Sequence, residues 1–66
     1  MINLSGVKIE AQTYYAVQFG LVATIAYYTP NDSWMIIGYD EIKNADIGED
    51  FVVYKKILTH KELLDL

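Results

Sequence analysis

The sequence predicts a small, β-rich α+β domain: an antiparallel curled sheet or partly open barrel, finished by a short C-terminal helical turn. Three observations predict it. From Gln12 to Thr29, bulky apolar residues alternate with smaller, more polar ones, the period of a half-buried strand. Pro30-Asn31-Asp32-Ser33 is a strong turn signal, and the apolar run Trp34 to Tyr39 follows it. Near the end, Thr59-His60-Lys61-Glu62 has capping-box spacing.

Taken in order, Ile2 to Ile9 alternate loosely, and Ser5-Gly6 suits a turn or bulge. The stretch from Ala11 to Asn31 then carries no charged side chain. Its odd positions (Tyr15, Val17, Phe19, Leu21, Ile25, Tyr27) hold most of the bulk. A straight strand over the seventeen residues from Thr13 to Thr29 would run about 56 Å, twice the diameter of about 28 Å expected for so short a chain. The strand must therefore bend or reverse at Gly20. Because the odd parity persists on both sides of Gly20, the pattern favours a bend, bulge or odd-length loop over a two-residue hairpin. The alternative is a βαββ arrangement with a helix over 11–28, since Tyr14, Val17, Leu21, Val22, Ile25 and Tyr28 share a helical face. It leaves Tyr15, Phe19 and Tyr27 off that face and Gly20 in mid-helix, which disfavours it.

Beyond the turn, Trp34 to Tyr39 is expected to return as a strand, Asp40 to Asp50 to form an acidic connection, and Phe51 to Ile57 to form a further strand. The capped turn after Thr59 is expected to dock through Leu63, Leu64 and Leu66, since undocked termini fray.

The chain has 66 residues, which bounds it to one domain, 1–66. A chain of about 60 residues buries only about 60 % of its unfolded surface. Cysteine is absent, which excludes disulfides, thiolate metal sites and a cysteine nucleophile. The composition is 53 % hydrophobic, with six Tyr, two Phe and one Trp, a surplus that points to an interface shared with another subunit or with a partner, a homo-oligomer being one of the two expectations.

The net charge of −4 is concentrated. Asp40, Glu41, Asp46, Glu49 and Asp50 face one base, Lys43, within the 40–50 segment, and the other charges balance. All five basic residues are Lys, whereas phosphate and guanine recognition favours Arg and a basic patch. Direct nucleic-acid binding is not expected. The opening MINLSGVKIE has no basic region ahead of an apolar run, so a cytoplasmic location is expected. The uncharged stretch is a poor membrane span, because Gln12, Gln18, Gly20, Pro30 and three Thr interrupt it and only Lys8 lies close by.

Little catalytic chemistry is on offer. His60 is the single histidine, and no partner for acid–base work is evident. A calcium loop begun at Asn44 would place Gly48 fifth and Lys55 twelfth, against the sixth-position Gly and twelfth-position acid such loops need. No phosphate-loop, dinucleotide, zinc-protease or serine-hydrolase motif occurs. No enzyme activity, cofactor or metal is expected.

The feature that most suggests a partner is the acidic run with an aromatic at each end. Tyr39, Asp40, Glu41, Asp46, Glu49, Asp50 and Phe51 form the expected docking site, carboxylates meeting a basic patch and aromatics acting as anchors. The same charges also serve solubility, and they are too sparse to imitate duplex DNA, which carries about one charge per 1.7 Å. In brevity, acidity and lack of cysteine the chain resembles accessory proteins carried by bacterial viruses, though no motif is shared. The expectation is a small acidic inhibitor or modulator of a larger basic or nucleic-acid-binding protein. The second reading is a self-assembling subunit that forms homo-oligomers through aromatic strand edges.

Overall fold

The computed structural model describes residues 6–66. Five antiparallel strands form one open sheet: β1 Thr13–Phe19, β2 Val22–Tyr28, β3 Ser33–Ile36, β4 Ile42–Lys43 and β5 Phe51–Thr59, in the order β4-β3-β2-β1-β5. A single turn of helix, α1 His60–Leu64, ends the chain. The β-rich α+β expectation holds, and the helical alternative for 11–28 does not. The expected alternation over Ile2 to Ile9 lies partly outside the described residues; Val7 and Ile9 pack against the core without forming a strand.

At Gly20 the expectation is corrected. Phe19 pairs with Val22, leaving Gly20-Leu21 as a two-residue hairpin turn. Gly20 has φ +61° and Leu21 a negative φ, the sign pattern of a type II′ turn, which matches the twist of paired strands. In this register every pair joins an odd to an even position: Tyr15 faces Ala26, and Val17 faces Thr24. The buried face therefore switches parity at the turn, from Thr13, Tyr15 and Val17 on β1 to Ala26 on β2. The bulky odd residues of β2, Ile25 and Tyr27, lie on the opposite face. Continuous parity misleads here because both faces of this sheet carry apolar side chains.

The other boundaries shift modestly. The Pro30 turn is present: Asp32 has φ +58°, and the Thr29 amide donates to the Ser33 carbonyl at 2.9 Å. β3 ends at Ile36, sooner than expected, and β5 extends two residues beyond Ile57. β5 slips register twice against β1, between Tyr14/Tyr15 and between Ala16/Val17. Such bulges twist an edge strand away from further pairing.

The core consists of Tyr15, Val17, Ala26, Trp34, Ile36, Ile47, Phe51 and Val53. Trp34 is its hub, its ring centroid lying 5.8 Å from Tyr15, 5.0 Å from Phe51 and 4.8 Å from Tyr28. The Tyr15 hydroxyl is satisfied where it leaves the core, accepting from the Glu10 amide at 2.7 Å and donating to the Lys8 carbonyl at 3.1 Å.

The capping box forms as predicted. The Glu62 amide donates to Thr59 Oγ1 at 3.1 Å, and the Thr59 amide donates to Glu62 Oε1 at 2.8 Å. These bonds, the Thr59 amide first and its side chain second, hold the Glu62 carboxyl below its ordinary range. The expected docking of the leucines is not seen: Leu63, Leu64 and Leu66 are all exposed. Just over one turn presents too little apolar stripe to bury, and the end is fixed instead by its cap and by the His60 amide donating to the Gln12 carbonyl at 2.7 Å.

Candidate functional site

Topology dictates what the acidic segment does. β4 and β5 lie at opposite edges of the sheet, so the chain between them must cross one face. Four strand spacings are about 19 Å, and seven extended residues reach about 25 Å at most. The crossing is therefore short and nearly taut, a strap over the buried face.

Its two apolar side chains hold it down. Ile42 packs against the core from β4, and Ile47 is inserted into the core with 4 % exposure. Between them, Asn44–Asp46 form a 3₁₀ turn. Asn44 ties this turn down twice, accepting from Trp34 Nε1 at 3.1 Å and donating its amide to the Asp32 carbonyl at 2.9 Å. At the far end the Gly20 amide donates to the Asp50 carbonyl at 2.9 Å, which fastens the strap to the β1–β2 turn.

The expected site residues divide accordingly. Asp40, Glu41, Asp46, Glu49 and Asp50 are all exposed along this segment. Glu41 is also anchored. Buried Ser33 donates its hydroxyl to Glu41 Oε2, and Ser33 Oγ lies 2.6 Å from Thr29 Oγ1. Tyr39 is 43 % exposed, with its ring edge-on to Phe19 at 4.9 Å. Phe51 departs from the expectation: it is fully buried between Phe19 and Trp34. As the first residue of β5, paired with Phe19, it points to the core side and offers no surface to a partner.

The structure does bring the two ends of the segment together. Tyr39 and Phe51 both pack on the Phe19 ring, at 4.9 and 6.0 Å. The acidic segment is thus a loop whose ends meet, packed by its own side chains, the form of many functional surface loops.

Sequence reasoning missed Ile42, Ile47 and Asn44, the residues that hold the carboxylates in place. A signal existed: two isoleucines five residues apart in an otherwise polar run. His60, the single histidine, is half-buried, its ring 6.4 Å from Tyr14 and 5.9 Å from Tyr27. Among the described residues no three His, Asp or Glu side chains converge as metal ligands, and no helix is long and apolar enough to cross a membrane. No protein family, curated protein or solved structure matches this chain.

Proposed function

We propose that this protein is a small, non-enzymatic binding module that docks on a basic surface of a larger protein through the acidic strap, and so modulates that partner. The observation that supports this reading is the division of labour within residues 40–50. Ile42 and Ile47 are pinned to the core, all five acidic residues are exposed, and the Glu41 carboxylate is held by Ser33. An acidic loop that served only solubility would need no such anchoring. A strap backbone already fixed beneath its carboxylates loses little conformational entropy on binding, and that pre-organisation favours affinity. Exposed Tyr39 is an aromatic anchor at the edge of the same surface. The partner class is basic, including proteins whose own ligand is a nucleic acid.

Reversing Asp46, Glu49 and Asp50 to Lys tests this. Each side chain is exposed, so the variant is expected to fold, with stability changed by about 0.5 kcal/mol or less per site. Captures from the native host with the wild type and the variant, run in parallel over a salt series, are the measurement. The expected result is a basic protein retained by the wild type, weakened by salt and lost from the variant. Equal retention by both would refute docking through the strap.

A further inference from the structure

The second face of the sheet carries a separate inference, based on observations independent of the strap. Tyr14, Tyr27 and Met35 lie side by side across β1, β2 and β3, and Ile25 lies opposite Ala16 in the neighbouring row. Met35 is 52 % exposed, Ile25 39 %, and Ile37, just past the end of β3, 64 %. Neither the strap nor the core covers this face, and among the described residues only the His60 ring packs on it, against Tyr14 and Tyr27. No Asp or Glu occupies an outward position on β1, β2, β3 or β5; charges stand only at the two rims, Lys55 opposite Ala16 on β5, and Lys43 opposite Ser33 on β4 with the Glu41 carboxyl bonded to Ser33.

We propose that this outer face is the interface of a two-fold homodimer, with a second copy of this chain as its occupant. Three arguments select a second copy. First, a two-fold contact requires a self-complementary patch, and a face with an uncharged centre meets its own copy without like charges opposed. Second, the area suffices. Four strands by about six residues give about 400 Å² in projection per copy, and with side-chain relief the pair buries on the order of 1,000 Å², the threshold for a specific interface. Third, the strap that carries Asp46, Glu49 and Asp50 lies on the other side. Packing two outer sheet faces at about 10 Å leaves the acidic straps about 30 Å apart across three interlayer spacings, well beyond a Debye length of about 8 Å. The dimer is a sheet-on-sheet sandwich that displays one acidic strap on each outer side. It also accounts for the apolar and aromatic surplus of so short a chain, and it places self-association on the sheet face rather than on strand edges.

Sedimentation of the full chain through the micromolar range tests this. The wild type is expected to approach twice the 7.5 kDa chain mass with rising concentration. The double variant Ile25→Lys/Met35→Lys places like charges across the two-fold axis and is expected to weaken association about 100-fold or more. Both side chains are already exposed in the monomer, so Trp34 fluorescence and the unfolding transition at low concentration should match the wild type. If that variant folds poorly, Ile37→Lys in the turn after β3 gives the same readout. A wild type that stays monomeric throughout, or a folded variant that dimerises as well as the wild type, would overturn the proposal. The strap triple-Lys variant should still dimerise, which separates this test from that of partner docking.

Discussion

Replacing Trp34 with alanine is expected to remove about 3–5 kcal/mol of stability, the cost of deleting a large buried aromatic. At about 0.05–0.15 kcal/mol per residue, a chain of this length has only about 3–10 kcal/mol to lose. The variant should therefore be largely unfolded in mild urea at 25 °C. The effect is large because Trp34 joins three parts of the fold. Its ring touches Tyr15 of β1 and Phe51 of β5, and its indole nitrogen holds Asn44 of the strap. Trp34→Phe separates these roles. It keeps most of the apolar volume but leaves the Asn44 oxygen without its donor, for a further cost of about 1 kcal/mol. Urea unfolding of the three proteins should rank them wild type, Phe, Ala. An alanine variant as stable as the wild type would mean that Trp34 is not the hub of the core.

The second large effect is expected at Ile47, where it bears on function as well as stability. Ile47→Ala deletes the one buried side chain that the residues between β4 and β5 contribute to the core. The expected loss is about 2–4 kcal/mol, concentrated in the strap because the strand pairing on either side is unaffected. All five carboxylates remain. If net charge alone governed docking, binding to the captured basic partner would not change. If the held geometry matters, the binding-competent state becomes a minority, and the apparent affinity falls by that fraction, about tenfold. Titration of the partner with the wild type and Ile47→Ala at one salt concentration decides between these outcomes.

Much of the fold is legible in the sequence because local chemistry and tertiary structure agree there. Pro30 to Ser33 turns where its residues favour a turn, and Thr59 caps where Glu62 stands three residues on. The hairpin at Gly20 is misjudged because alternation reports which residues are bulky, not which face is covered. Ile25 and Tyr27 are as apolar as the core residues, yet they lie on the opposite side of the sheet. The acidic segment is legible in charge but not in shape. That it crosses the core follows only from β4 and β5 occupying opposite edges, a property of the whole topology that no local window contains. The same information separates Tyr39 from Phe51: both flank the acidic run, but only Phe51 begins a strand whose first side chain points inward. The leucines after Glu62 show the opposite limit, an apolar ending that the fold leaves exposed.

The central claim is that the acidic segment is a folded part of the core rather than a solvated loop. Amide hydrogen exchange of the free protein, resolved by residue, tests it most directly. The Asn44 amide donates to the Asp32 carbonyl and the Ile47 amide to the Asn44 carbonyl, at 2.9 and 3.2 Å. Both are expected to exchange slowly, with protection approaching that of the β1–β2 amides, because opening them requires withdrawing Ile47 from the core. Exchange of these two amides at unprotected rates, while β1 and β2 remain protected, would contradict the account and leave the carboxylates on a free loop.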